Sequence, residues 1–115
     1  MIEPTASVPE VTESLLAEIV QRIVSAGDPL RIVLFGSRAR ADHRPDSDID
    51  LLVVEESALP RYKRSPRYYR ATRGTFPVRE IVVWTPEEIR EWESVPNHFV
   101  TAALREGRVL YERPS

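Results

Sequence analysis

The sequence predicts an α+β fold, a mixed α/β arrangement of about four short strands and several helices. Three observations support that class. Apolar runs of strand length recur along the chain, the first two at 32–35 and 49–54. Other segments repeat their apolar residues every three to four positions, as an amphipathic helix does. Two aspartates, Asp48 and Asp50, stand at the entrance of the second apolar run.

The first predicted element is an amphipathic helix. Thr12 is a suitable N-cap, Val11 and Leu16 can form a hydrophobic staple, and Gly27 is a suitable stop. The apolar residues that define its buried face are Leu15, Leu16, Ile19, Val20, Ile23 and Val24.

Four strands and three more helices follow along the chain. Strands are expected at 31–35, 49–54, 78–84 and 108–111. One helix is expected at 60–72 in spite of Pro66, and a second begins at Pro86 after Thr85. A third covers 99–106 and is ended by Gly107. The flanks 1–10 and 113–115 are expected to fray.

Composition is typical of one globular domain, expected at 1–115 with its core at about 12–112. The chain has 115 residues, of which 42% are apolar and 30% are charged. The absence of cysteine excludes disulfides and thiolate zinc sites. No apolar run reaches the roughly 18 residues of a membrane span, and residues 1–10 lack the pattern of a signal peptide. We therefore expect a cytoplasmic protein without a membrane partner.

A turn at Gly36 and Ser37 directly follows the first strand. A strand that ends in such a turn and continues as a short helical segment points free backbone N–H groups at an anion. Gly36 supplies unusual backbone angles, and Ser37, Arg38 and Arg40 add side-chain donors. The segment predicts a phosphate-binding turn, although a Gly-Ser pair after a strand is more often an ordinary turn.

Asp48 and Asp50 are two residues apart at the start of the second strand. Strand side chains alternate, so both carboxylates project to one face while Ile49, Leu51 and Val53 project to the other. Like charges this close are unfavourable unless a cation lies between them, and carboxylate oxygens suit Mg²⁺ held together with phosphates. Alone, such a pair is more often a solvated rim. The order of strand, Gly-Ser turn, spacer, Asp-x-Asp and strand predicts a combined metal and phosphate site.

With these motifs the sequence resembles the nucleotidyltransferases of the DNA polymerase beta superfamily, whose signature is Gly-Ser, a spacer of about this length and Asp-x-Asp. Within that superfamily it is most similar to the minimal nucleotidyltransferases (MNT), often the antitoxin partners of HEPN-domain toxins. The resemblance spans residues of about 15–112 and is carried by segments 36–40, 47–53, 80–88 and 105–112. It implies a palm-like mixed sheet of about four strands, with helices on one face and the carboxylates open on the other.

The resemblance also implies an activity, the Mg-dependent transfer of a nucleoside monophosphate to an acceptor hydroxyl. AMP from ATP is the expected donor group, and two Mg²⁺ ions are the expected cofactors. Glu80 lies on the same side of the third strand as Val82 and Trp84, and it can join the aspartates if that strand neighbours the second. The residues assigned to the site are Asp48, Asp50 and Glu80 for catalysis and metal binding, and Gly36, Ser37, Arg38 and Arg40 for the nucleotide.

The implied partner is a HEPN-domain toxin; a homo-oligomer is a further alternative and nucleic acid is less favoured. Two positions depart from the superfamily, which usually has Asp at Glu80 and Gly at Ala41. The extra methylene of Glu80 shifts its carboxylate by about a bond length, and metal-assisted transfer is sensitive to displacements of about 1 Å. Two function classes therefore stay open: an enzyme, or a catalytically degenerate nucleotide- or toxin-binding module that neutralises its partner by contact. A third, an antibiotic-modifying nucleotidyltransferase, is weakened because such relatives carry an extra domain.

The segment 61–79 contains seven basic residues and no acidic residue. A solvated helix face is the more common explanation of such a run. The alternatives are attraction of nucleotide or RNA to a neighbouring active site and docking of an acidic partner. His43 and His98 are isolated in the sequence, and both are interpreted as structural.

Overall fold

A four-stranded mixed sheet forms the centre of the protein in the computed structural model, which describes residues 11–39, 48–75, 78–96 and 98–114. The strands are ordered β3-β2-β1-β4, with β1 antiparallel to both neighbours and β2 parallel to β3. The helices are α1 Glu13–Ala26, α2 Pro66–Ala71, α3 Pro86–Trp92 and α4 Phe99–Glu106, and the strands are β1 Arg31–Phe35, β2 Ile49–Val54, β3 Val78–Trp84 and β4 Arg108–Glu112. None of the described helices is long and apolar enough to cross a membrane.

The predicted α+β class and the mixed sheet of about four strands are confirmed. The first three strands have the predicted bounds, and β4 runs one residue further than expected. The α1 cap is as predicted, because the Thr12 hydroxyl accepts a hydrogen bond from the Leu15 N–H at 3.1 Å. At α3, Thr85 and Glu88 each bond the other's backbone N–H, which completes a capping box. His98 is structural, since its ring nitrogen caps α4 through the Val100 N–H at 3.2 Å.

The helix predicted over 60–72 is not continuous. A 3-10 turn at Arg61–Lys63 comes first, and α2 begins only at Pro66. Proline has no N–H to donate, and its ring clashes with the carbonyl four residues earlier, so Pro66 starts a helix here rather than continuing one.

The two faces of the sheet are both covered by helices, whereas helices on one face had been expected. One face packs α1 and α2 on a core that includes Leu16, Leu51 and Tyr68. The opposite face packs α3 and α4 on a second core that includes Leu52 and Trp84. The reason is that the side chains of β2 beyond Asp50 are apolar on both faces of the sheet. Both faces therefore have to be covered by helices.

A buried polar cluster joins the end of β2 to α2. The Glu55 side chain directly follows β2 and is only 2% exposed. It accepts hydrogen bonds from the Tyr68 hydroxyl and from Arg67 Nη2, the latter at 2.6 Å. The Tyr68 side chain is fully buried, and the missing side chain of Gly27 leaves room for its hydroxyl. Burial, followed by the contact with Glu55, raises the pKa of Tyr68, so this hydroxyl stays a donor.

We expect Tyr68→Phe to lower the free energy of unfolding by about 1–3 kcal/mol, because the buried Glu55 carboxylate loses a donor while the ring volume is retained. Tyr62→Phe is the matched control, since Tyr62 is 74% exposed and its change should be close to neutral. Urea denaturation of both variants measures the difference. Equal stabilities would show that the Tyr68 hydroxyl contributes nothing to the link between β2 and α2.

Candidate active site

Three residues on neighbouring strands form one row across the sheet. Phe35 of β1 pairs with Asp50 of β2, and Asp50 pairs with Glu80 of β3. Residues paired across strands present their side chains to the same face, so this face carries an aromatic ring and two carboxylates side by side. β3 lies next to β2, and this was the condition under which Glu80 was expected to reach the aspartates. We call these residues the Phe35–Asp50–Glu80 row.

Gly36 closes over the middle of this row. Its φ is +77°, a left-handed conformation that residues with a side chain rarely adopt. A Cβ at this position would lie 2.6 Å from Oδ2 of Asp50, well inside van der Waals contact. The Asp50 side chain is accordingly only 7% exposed. Glycine is therefore required here both for the turn and for the position of the carboxylate beneath it.

The other two carboxylates are open to solvent. Asp48 precedes the first residue of β2 and is exposed, as is Glu80. Across the described parts of the chain, no group of three or more His, Cys, Asp or Glu side chains is placed closely enough to hold a metal ion. The donor chemistry nevertheless fits Mg²⁺, which prefers hard carboxylate oxygens. The Asp50 carboxylate is nearly buried, whereas Asp48 and Glu80 are exposed to solvent.

The phosphate-binding residues are placed only in part. Gly36 to Ala39 form a single 3-10 turn that leaves the end of β1. Ser37 and Arg38 belong to this turn through their backbone, and their side chains lie outside the described residues. Arg40, Ala41 and His43 also lie outside them. The structure therefore places the backbone of the predicted phosphate turn beside Asp50 but leaves the arginine roles as predictions.

Several cations of the basic run have structural partners instead of forming a free surface. Arg64 is 7% exposed and donates to both oxygens of Glu88, at 2.7 and 3.2 Å, as well as to the Leu59 and Val83 carbonyls. Burial raises the pKa of Glu88, but the hydrogen bonds from Arg64 and Thr85 outweigh it, so the pKa lies below its ordinary value. The guanidinium of Arg61 lies 4.1 Å from the Trp84 ring. These residues tie the segment before α2 to β3 and α3.

The remaining described cations of the basic run are exposed. The Tyr69 hydroxyl of α2 accepts a hydrogen bond at 2.8 Å from the N–H of Ile81, the neighbour of Glu80. This contact fixes α2 against the edge strand β3, on the face of the sheet opposite the Phe35–Asp50–Glu80 row. Lys63, Arg70 and Arg73 are exposed along this segment. The solvated-face interpretation of the run fits these cations but not Arg64.

Phe35 and Phe99 lie at the site although sequence reasoning assigned them no role. Their ring centroids are 6.0 Å apart, and Phe99 begins α4. For Phe35 a sequence signal was available. It directly precedes Gly36, so pairing of the first two strands brings it next to Asp50. For Phe99 no sequence signal existed, since its distance in the chain from β1 hides the contact.

The class of protein is a mixed-sheet domain in which a left-handed Gly36 turn ends one strand and the next two strands carry carboxylates. The sequence matches the nucleotidyltransferase domain family over residues 14–110. The chain therefore belongs to this family. No curated protein sequence matches it significantly.

One similar solved structure is that of a candidate nucleotidyltransferase from Sulfolobus solfataricus. It is 26% identical to this chain and has a TM-score of 0.63. The match covers 88% of this chain and 80% of the Sulfolobus chain. The similarity thus includes nearly the whole mixed sheet and its helices, in agreement with the family assignment.

We expect Gly36→Ala to destabilise the protein more than Gly74→Ala. Both glycines have positive φ, at +77° and +87°, so each substitution should cost about 1–2 kcal/mol of backbone strain. A Cβ at Gly74 has no neighbour within 4 Å, whereas one at Gly36 meets Asp50. Chemical denaturation compares the two losses. Equal losses would mean that the Asp50 carboxylate is not held tightly under the turn.

Proposed function

We propose that the protein transfers a nucleoside monophosphate, AMP from ATP, to an acceptor hydroxyl with the help of Mg²⁺. The observation that carries the proposal is the pairing of Asp50 with Glu80 beneath the Gly36 turn. This arrangement puts acidic oxygens and the backbone of the turn at one end of the sheet, where a metal-bound triphosphate needs both ligands and donors. The family assignment supports nucleotidyl transfer in general; the donor, the metal and the acceptor are parts of the proposal.

In this proposal Asp48, Asp50 and Glu80 would hold the cations, and the turn would hold the β- and γ-phosphates. When bound, Mg²⁺ supplies charge neutralisation of the triphosphate and lowers the pKa of the attacking hydroxyl. The buried Asp50 sets the position of the site because the Gly36 turn fixes its carboxylate. The exposed Asp48 and Glu80 complete the site from either side, and Ser37, Arg38 and Arg40 would add donors to the phosphates.

Glu80 decides between enzyme and binding module. Its place beside Asp50 on the edge strand suits a residue that helps an acceptor hydroxyl lose its proton, because the acceptor can approach from the open side of β3. Its side chain is one methylene longer than the Asp usual in the superfamily, and it is exposed and able to adjust. We therefore propose an active enzyme, with a catalytically degenerate nucleotide- or toxin-binding module as the second candidate.

We also propose that the acceptor belongs to a protein partner in the cytoplasm, a HEPN-type toxin whose activity is suppressed by the transfer. The exposed cations Lys63, Arg70 and Arg73 support this, because Tyr69 bonds their segment to the edge strand β3, which also carries Glu80. An acidic partner attracted to them would bind along that edge of the sheet. The same surface would also attract nucleic acid, which remains the less favoured acceptor.

We expect the double variant Asp48→Asn with Asp50→Asn to bind Mg-ATP at least about tenfold more weakly than the wild type, since even the outer partners of metal ligands contribute about 10–100-fold. Without Mg²⁺ the double variant should bind ATP as well as the wild type or better, because the carboxylates then repel the polyphosphate. Glu87→Gln with Glu91→Gln on α3 removes the same charge from exposed positions and is the control. Calorimetric titration that finds undiminished Mg-ATP affinity in the double variant would contradict the metal site.

A second expected outcome concerns the partner. Incubation of the co-purified complex with Mg-ATP should raise the intact mass of the partner by one or more AMP units, and Glu80→Gln should abolish the increase without dissociating the complex. Glu91→Gln is the matched control. A partner that is bound and silenced with its mass unchanged in excess ATP would establish the binding module. Labelling of free RNA or a small molecule, with no partner bound, would refute the antitoxin role but not the nucleotidyl transfer.

A further inference from the structure

A small recess opens beside the Gly36 turn, on the face of the sheet that carries Asp50. The described residues that line it are Phe35, Gly36, Phe99, Ala102, Ala103 and Glu106, and we call it the aromatic recess. Its volume is about 130 Å³. Sites for whole drug-sized ligands measure about 300–1,000 Å³, so this recess can take one ring system and not a complete nucleotide.

Phe99 forms an aromatic wall of the recess. Its ring lies 5.5 Å from the Trp84 ring and 5.6 Å from the His98 ring, which support it from within the protein. It nevertheless stays 38% exposed. A large aromatic ring held rigidly by its neighbours and left partly in water can stack on a flat ligand at little cost in conformational entropy.

The recess is next to the site on the side away from Glu80. Phe35 of β1 lines the recess and pairs with Asp50 of β2, so the recess lies directly beside the Asp50 end of the row. It also includes Gly36, whose turn is the proposed phosphate cradle. A molecule that has phosphates at the turn and a flat ring attached to them can therefore occupy both places at once. Ala102 and Ala103 have small side chains, so such a ring can approach the α4 backbone on this side of the recess.

We propose that the aromatic recess binds the base of the nucleoside triphosphate, with the ring stacked on Phe99 and its exocyclic amine directed to Glu106. The inference rests on the proposed function and adds a specificity to it. Glu106 is the charged residue among those described around the recess, and an ionised carboxylate only accepts hydrogen bonds. At the exocyclic position it therefore favours the amino group of a base such as adenine over the carbonyl oxygen that uracil presents there.

The test is a comparison of Mg-ATP, Mg-UTP and Mg-tripolyphosphate, titrated into the full chain by calorimetry. Stacking on an aromatic side chain is worth about 5- to 150-fold in affinity per base, so Phe99→Leu should weaken ATP binding by at least about fivefold. Its affinity for tripolyphosphate should not change, because that ligand has no ring. Phe99→Tyr retains the ring and should retain the affinity for ATP. Thermal unfolding of each variant confirms that it is folded.

Two further variants make the test independent of Phe99. Ala102→Leu fills the recess from a helical position that accepts leucine readily, and it should weaken ATP while sparing tripolyphosphate. Glu106→Gln should reduce the preference for ATP over UTP, with Glu91→Gln as the control that leaves the preference unchanged.

The outcomes separate this inference from the proposed function. If the wild type binds ATP and Phe99→Leu and Ala102→Leu bind it equally well, the base site is overturned and the proposed function stands. A loss of tripolyphosphate affinity in the same variants would show that they disturb the phosphate turn, and it too would overturn the base site. If the wild type binds neither ATP nor tripolyphosphate, the proposed function fails, and the base site fails with it.

Discussion

The contact between the Gly36 turn and the Asp50 carboxylate constrains the geometry of the whole site. Because Gly36 has positive φ and no side chain, the chain can leave β1 directly over the first residues of β2. The turn then lies on one side of Asp50 and Glu80 on the other, as the strand register requires. A larger residue at this position would move either the turn or the carboxylate, and a backbone donor and a metal ligand would no longer face the same volume. In the proposed function, the positions of phosphate and metal would thus depend on one glycine.

The row also brings two carboxylates to one end of the sheet. Asp50 is nearly buried, and the exposed Glu80 is its neighbour across parallel strands. Like charges on neighbouring strands repel, and solvent screens this repulsion only on the Glu80 side. A divalent cation relieves this repulsion and would stabilise the folded state in proportion to its binding. In the proposed site a polyphosphate would meet the same repulsion, so metal binding and nucleotide binding would be coupled.

Periodicity and caps are local, and for this reason the sequence was sufficient to predict α1, the first three strands and the order of the site motifs. Glu80 could also be placed, because alternation along β3 fixes its side of the sheet. Interactions between distant segments could not be predicted in this way. The ion pair of Arg64 with Glu88 and the buried bond of Tyr68 to Glu55 depend on which helix covers which strand. A charge count treats such residues as surface, although two of them here are buried.

The site has two unequal sides, and their difference bears on how the reaction would be organised. On the β1 side, α4 and its aromatic residues supply a walled recess next to Asp50. On the β3 side, the sheet ends at an edge strand and Glu80 is exposed. In the proposed function, the base of the nucleotide would occupy the walled side, where it can be enclosed. The acceptor would then arrive at the open side, where the surface of another molecule would complete the enclosure that excludes water from the transfer. The division of the sheet into a closed and an open side thus favours an acceptor that belongs to a partner over a small free molecule.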